Sequence, residues 1–266
     1  MTVSKDRFQK PATAEQLPQP SRVILTGARS AFIGPNLIFE TYRTAVATIV
    51  IGLDEDISLR WIEDDDSRDN HHPIAVIPPG TLCELQAKGD IAALFCDALS
   101  DDISKIDLRG IDRKISSLRA QFKQEPKGHS LEEFIEQVFT ELGVTSDQPI
   151  RPDIARVVNA LGREPERFAN VETAAELAGL SPMRFQHVFT ETVGMPFRRY
   201  RQWRRMGRVI RALAKGENLT EAAYSSGFSN SAHLSTAFKA MFGLRPSDIL
   251  ASNTEFYLSD TRSAKK

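Results

Sequence analysis

The sequence predicts an α+β chain of two domains. An N-terminal β-rich barrel is followed by an all-α C-terminal domain, in which two helix-turn-helix motifs are joined by a linker helix. Three observations carry this expectation. Short apolar segments rich in β-branched and aromatic residues fill Ser21 to about Asp97, helical periodicity replaces them from about Ser130, and one pattern of small, glycine and phenylalanine positions occurs twice after Val171. The boundaries that follow are a flexible N-terminus at 1–20, a barrel ending in a helix at 21–145, a linker at 146–152, an all-helical domain at 153–250 and a tail at 251–266.

The segments RVILTG, NLIFETY, VATIVIGL, SLRWIE, PIAVIPPG and IAALFCDA read as strands, each bounded by Gly, Pro, Asp or Asn. Between them, DDDSRDNHHP (Asp64 to Pro73) is polar enough to read as a loop. SLEEFIEQVFTELG then places Leu131, Phe134, Ile135, Val138, Phe139 and Leu142 at helical spacing, with a capping-box pair in Ser130 and Glu133. That helix is a candidate for pairing two chains through Leu131, Phe134 and Val138, the alternative being that it packs back on the barrel.

With 266 residues the chain has room for two cores, and 41% apolar against 26% charged residues is the balance of a soluble globular protein. No apolar run reaches the ~18–20 residues of a membrane span. The opening MTVSKDRFQKPATAEQ lacks the apolar core of a secretory signal, so a cytoplasmic chain is expected. The net charge of -1 conceals an asymmetry. Residues 1–150 carry 16 basic and 24 acidic side chains, whereas residues 151–250 carry 15 and 9. A basic second half is what a polyanion partner asks for.

The repeat lies within that basic half. VETAAELAGLSPMRFQHVFTETVG and LTEAAYSSGFSNSAHLSTAFKAMFG each place an Ala four residues before a Gly, then a large apolar residue and a Ser. Ala175 and Ala223 supply the small residue where two crossing helices touch, and Gly179 and Gly227 supply a turn with positive φ. Leu180 and Phe228 fill the wedge. Ser181 and Ser229 stand where N-caps are wanted, and Phe185, Phe189, Leu234 and Phe238 face inward. The second turn is one residue longer than the first. Between the copies, Trp203, Met206, Gly207, Ile210 and Leu213 form an apolar stripe, and Arg201, Arg204, Arg205 and Arg208 form a basic one at i, i+3, i+4 and i+7.

The stretch from about Ile154 to Ile249 resembles the C-terminal domain of AraC/XylS-type transcriptional regulators. The motifs that carry the likeness are LAGLSPMRFQHVF…VGMPFRRYRQWRRM and EAAYSSGFSNSAHLSTAFKAMFGLRPSD. The resemblance implies a regulator whose partner is double-stranded promoter or operator DNA, with RNA polymerase, a small-molecule effector and a second copy of the chain as further partners. Carried over by position, the outward candidates are Met183, Arg184, Gln186, His187 and Thr190 on the first recognition helix. Gln186 suits adenine, and Arg184 suits guanine or a phosphate. On the second helix they are Asn230, Ser231, His233, Thr236 and Lys239. With Ala232 there and Thr236 where the family often has Arg, that helix is expected to clamp phosphates rather than read bases.

The first half resembles, more loosely, cupin-like sensor domains, chiefly in PIAVIPPGTLCELQAKGDIAALFCD. None of the five His forms the His-x-His pair of cupin metal sites. No metal, cofactor or catalytic residue is therefore called for, and no enzyme activity is expected. Cys83 and Cys96 read as core thiols. Two rivals stay open: a degenerate cupin enzyme with a helical appendage, and a tandem module that binds protein in place of DNA.

Overall fold

In the short apolar segments, side chains alternate between two faces that are both covered, which is why several read as unbroken apolar runs. The structure, a computed structural model, describes residues 20–27, 29–35, 41–62, 70–96, 98–99, 103–104, 106–124, 130–145, 151–251 and 253–259. Strands β1 (Arg22–Thr26), β2 (Arg29–Pro35), β4 (Thr48–Gly52), β7 (Ile74–Ile77), β9 (Asp90–Phe95) and β10 (Glu255–Ser259) form one sheet, in the order β10-β1-β2-β9-β4-β7. Strands β3 (Tyr42–Arg43), β5 (Ile57–Trp61), β6 (Asn70–His72) and β8 (Leu82–Gln86) form the other, in the order β3-β8-β5-β6. Val23, Leu25, Val50 and Ala93 point between the sheets. Ile24, Ile49, Ile51, Ala92 and Leu94 point to the opposite face, where helices α1 (Leu108–Lys123) and α2 (Leu131–Glu141) cover them.

The structure corrects several expectations. The residues offered for chain pairing, Leu131, Phe134 and Val138, are buried against the sheet, so α2 packs back on the barrel and its apolar face is spent within the chain. The capping box at Ser130 and Glu133 is present. Asn70, His71 and His72, expected in a loop, form β6 against β5, and both histidine side chains are exposed. The rest of that segment, 64–69, lies outside the described residues, as do residues 1–19 of the N-terminus expected at 1–20, most of NLIFETY and the linker core 146–150. The 251–266 tail is in part a strand: β10 pairs in parallel with β1, from Arg22 with Glu255 to Thr26 with Ser259. Strands β2 and β8 and helix α1 are likewise elements that the sequence pattern does not single out.

The helical half runs α3 (Pro152–Arg163), a 3-10 turn (Pro165–Phe168), α4 (Val171–Ala178), α5 (Pro182–Val193), α6 (Phe197–Ala214), α7 (Leu219–Ser225), α8 (Ser231–Phe242) and α9 (Pro246–Ala251). α6 joins two cores. Its Phe197 and Tyr200 belong to the first helix-turn-helix unit, built on Phe168, Ala175, Phe185 and Phe189. Its Met206, Val209 and Ile210 belong to a cluster that runs without a break from the second unit into the barrel interior, where it includes Leu25, Ile57 and Leu85. The mouth of the barrel is thus closed by the second unit. Phe95, Trp203 and Phe242 meet across that seam with ring centroids 5.5–5.7 Å apart.

Cys83 and Cys96 are free buried thiols, as expected of core residues. Burial pushes the Cys83 thiol up to about 11, against the lowering effect of its hydrogen bond with Tyr42, so it remains protonated and unreactive near neutral pH. No described helix is long and apolar enough to cross a membrane.

Candidate nucleic-acid interface

The two repeated turns are built alike to the level of single hydrogen bonds. The N–H of Leu180 donates to Ala175 O at 2.9 Å and that of Phe228 to Ala223 O at 2.8 Å. The glycines donate to Glu176 O and Tyr224 O, both at 3.0 Å. This is the Schellman closure, which needs positive φ at one residue; Gly179 has φ 73° and Gly227 φ 79°. Ala175 and Ala223 are buried where the helices touch. The wedge residues differ: Phe228 is buried and Leu180 half-buried.

The N-caps differ by one position, which is where the extra residue of the second turn goes. Ser181 caps α5 by accepting from Arg184 N, as expected. In the second unit Asn230, not Ser229, caps α8 by accepting from His233 N at 2.7 Å. The Ser229 hydroxyl instead lies 3.0 Å from His233 Nδ1, and the His233 ring stands edge-on to Phe228.

On α5 the amphipathic division is complete. Phe185, Val188 and Phe189 are buried, while Met183, Arg184, Gln186, His187 and Thr190 all stand exposed on the opposite side, Met183 at 84%. The Thr190 hydroxyl donates to Gln186 O at 2.8 Å and holds that side chain along the helix. On α8, Ala232, His233 and Thr236 are exposed, but Ser231 and Lys239 are half-buried. Thr236 donates to Ala232 O, and Lys239 has an interaction within the chain. The Thr236 hydroxyl is thus tied to its own helix and the His233 ring to the turn before it, and β3 lies against α8.

The arginine stripe of α6 is also spent inside the molecule. Arg201 donates to the carbonyls of Phe168 and Ala169, at the entrance to α4. Arg205 donates to Ser226 O at 3.0 Å and lies 4.4 Å over the Phe228 ring. Arg208 pairs with Glu166. Burial lowers the pKa of Arg201 and of Arg205 from the usual guanidinium value, with neighbouring arginines adding to it. Arg205 braces the second turn, Arg201 and Arg208 hold the segment before α4, and the three do not form an outer basic face. Arg204 faces elsewhere. It lies against Gly162 of α3, where a Cβ would collide with its guanidinium, and it lines a cavity at the mouth of the barrel.

That cavity, of about 110 Å³, has Val23, Leu25, Phe32 and Val50 of the barrel on one side and Trp203, Met206, Ile210 and Phe242 on the other. Arg29, Arg204 and Arg211 also line it, and Arg29 is paired with Glu136. Among the described residues no group of three or more His, Cys, Asp or Glu is placed to hold a metal.

A second hollow, about 450 Å³, runs along α5. It brings Gln186 and Thr190 together with Asn170 and Val171 at the start of α4 and with Arg198 at the start of α6. Arg198 is exposed. Sequence reasoning passes over it in favour of the inward arginines that follow; its place in the first turn of α6, which begins just after α5, is the available signal.

Comparison with known proteins agrees with this geometry. A helix-turn-helix domain family model matches residues 174–252, from within α4 through α9. Residues 174–252 form a helix-turn-helix domain. A curated relative, the HTH-type transcriptional regulator GlxA of Rhizobium meliloti (strain 1021), is 31% identical over 99 residues, or 37% of this chain. The match spans 31% of that relative's length. Among solved structures, apo ToxT from Vibrio cholerae strain SCE256 has a TM-score of 0.59 at 14% identity, covering 86% of this chain and 99% of that one. Unsaturated fatty acid bound ToxT from the same strain has a TM-score of 0.54 at 13% identity, covering 89% and 97%. The two-domain fold is therefore ToxT-like along nearly its whole length.

Proposed function

We propose that the chain is a sequence-reading transcriptional regulator in which α5 enters the major groove and discriminates bases. The observation that carries this is the clean division of α5: its apolar face is wholly buried, and Arg184, Gln186 and His187 are presented outward. A helix so exposed beside Arg198 and the start of α4 has base-reading groups in its middle and phosphate-gripping groups at its edge. The second helix, with its Thr236 hydroxyl turned back on Ala232 O, serves affinity and register. Asn230, Ser231 and Lys239 are its phosphate-facing group. A regulator of this kind has no chemistry for an enzyme to perform, and it works beside its DNA in the cytoplasm, where RNA polymerase and a second copy are partners in operation.

Fluorescence anisotropy on duplex from the region upstream of its own gene, titrated at several salt concentrations with unrelated duplex as competitor, tests the reading. Arg198→Ala is expected to weaken both duplexes alike and to lower the log–log salt slope by about 1, as loss of one phosphate contact does. An unchanged slope removes Arg198 from the interface.

The cavity supplies the sensor. One ToxT structure is bound to an unsaturated fatty acid and another to (E)-4-(8-methylnaphthalen-1-yl)but-3-enoic acid. In this chain a space of about 110 Å³ walled by apolar and aromatic side chains, with Arg204 and Arg211 in its lining, suits a compact apolar body carrying an acid. Short aromatic carboxylic acids are expected to raise the melting temperature of the full chain and their methyl esters much less. Equal shifts from acid and ester would remove the arginines from that role.

A further inference from the structure

The carboxy-terminal strand does more than complete a sheet. β10 follows α9 directly, through a turn in which Asn253 has φ 51°, and the N–H of Glu255 donates to Ser21 O at 2.7 Å. The DNA-binding half is thereby fastened to the barrel at both of its ends, by the segment before α3 and by β10. Yet β10 is a light attachment. It is the outermost strand in its sheet, paired only with β1 among the described strands. Of its side chains Glu255 and Leu258 are exposed and Phe256 and Tyr257 half-buried, whereas Ile24, its partner in register with Tyr257, is fully buried. A strand held by one ladder and two half-covered rings is drawn from the low-stability end of a fold.

What the strand fastens is itself imperfectly packed. The seam beneath it contains the cavity, so the aromatic trio Phe95, Trp203 and Phe242 borders empty space. At the other side of the seam Arg199 donates to Arg43 O, bringing two guanidinium-bearing residues together, and burial with the Arg43 charge disfavours the charge on Arg199. β3, which carries Arg43, rests against α8. The docked state therefore combines a hole, two like charges and a strand that can peel, and it keeps the second recognition helix beside the barrel.

We propose that β10 is a releasable strap: paired with β1 it clamps the second helix-turn-helix unit on the barrel, and its release frees α8 to settle on DNA. The clamping rests on the geometry of the seam alone, and the consequence for DNA rests on the proposal that the chain is a DNA-reading regulator.

Two readouts separate them. Trp203 reports docking, since only Trp61 must be replaced (Trp61→Phe) for it to be the one tryptophan. Labelled duplex from upstream of the gene reports DNA binding. In the Trp61→Phe chain ending after Thr254, Trp203 emission is expected to move to longer wavelength and duplex affinity to rise about tenfold, a usual size for coupling between two sites. The complementary variant, Arg22→Cys with Glu255→Cys, joins residues that are in register and should be locked when oxidised, with Cys83 and Cys96 buried away from the reaction. Its oxidised form should bind duplex about tenfold more weakly than its reduced form, and this comparison decides the matter if the shortened chain fails to fold. Unchanged Trp203 emission in a shortened chain with native circular dichroism would overturn the clamp. Equal duplex affinity of oxidised and reduced forms, with the disulfide confirmed by mass, would overturn the control of DNA. If Trp203 moves while no form retains any duplex, the clamp stands and the DNA reading fails.

Discussion

Replacing Arg184 and Gln186 together by alanine is expected to cost about 2–6 kcal/mol of preference for the cognate duplex over unrelated DNA, since each good bidentate base contact is worth about 1–3 kcal/mol. Both side chains are exposed on the outward face of α5, and the core behind them is made by Phe185, Val188 and Phe189. The melting temperature should therefore hold while discrimination collapses. Competition anisotropy with cognate and unrelated duplex, alongside thermal unfolding, reads both quantities. The double variant keeps Arg198, so residual binding should remain salt-sensitive but indifferent to sequence. Retained preference would move base reading off α5. The helix left to carry it would be α8, whose exposed side chains are Ala232, His233, Thr236 and Ala240, with the Thr236 hydroxyl committed to Ala232 O.

That asymmetry between the helices has a structural origin. The first unit has an aromatic core of its own, in which Phe185, Phe189, Phe197 and Tyr200 pack ring against ring, with Val46 and Leu99 of the N-terminal half joining the same cluster. The second unit borrows its core from the barrel, since Phe238 and Met241 belong to the same cluster as Leu25 and Leu85. A unit finished by another domain is positioned by that domain. Base reading suits the unit with an aromatic core of its own, and control suits the one whose core continues into the barrel interior.

The helical repeat is legible in the sequence because its determinants are local. An Ala at the crossing, a Gly at positive φ and a cap within a few residues specify the turn wherever the chain goes, and even the extra residue of the second turn shows in the spacing of Leu234 against Phe185. The cap that follows from it moves to Asn230, one place beyond the serine that the first copy suggests. The arginine stripe misleads for the opposite reason. Its spacing on α6 is right, but what engages Arg201 and Arg205 are the carbonyls of Phe168, Ala169 and Ser226, brought there by tertiary structure. Backbone acceptors leave no mark in sequence. In α1, Ile111, Ile115, Leu118 and Phe122 are buried at helical spacing, a signal present but diluted by the charged residues between them. β2 is obscured by the Gly34-Pro35 that ends it, and β10 by its position, because a five-residue strand in a tail is recognisable only through the edge it completes. The leucine and phenylalanines of α2 fit either a partner chain or the sheet, and only the sheet's own outer face decides between them.

Phe228→Ala is expected to destabilise the second helix-turn-helix unit by about 3–5 kcal/mol, the usual cost of removing a buried phenylalanine. The ring fills the wedge between α7 and α8 at 3% exposure, carries the Arg205 guanidinium 4.4 Å above its face and meets the His233 ring at 5.4 Å. Its loss leaves a cavity and strips Arg205 of one of its two supports, the other being Ser226 O. The denaturant midpoint should fall with little change in slope, and Phe228→Leu, which refills most of the space, should recover much of the difference. The equivalent change in the first unit, Leu180→Ala, should cost less, about 1–2 kcal/mol, because a half-buried side chain has less apolar surface to return to water. The ratio of the two costs is the informative quantity. Equal costs would mean that the wedge position is set by the turn and not by what packs there, and the internal arginines would lose their explanation. Arg205 braces the second turn through its aromatic wedge and Ser226 O, whereas Arg201 holds the carbonyls of Phe168 and Ala169 at the entrance to α4, the far end of that helix from the first turn.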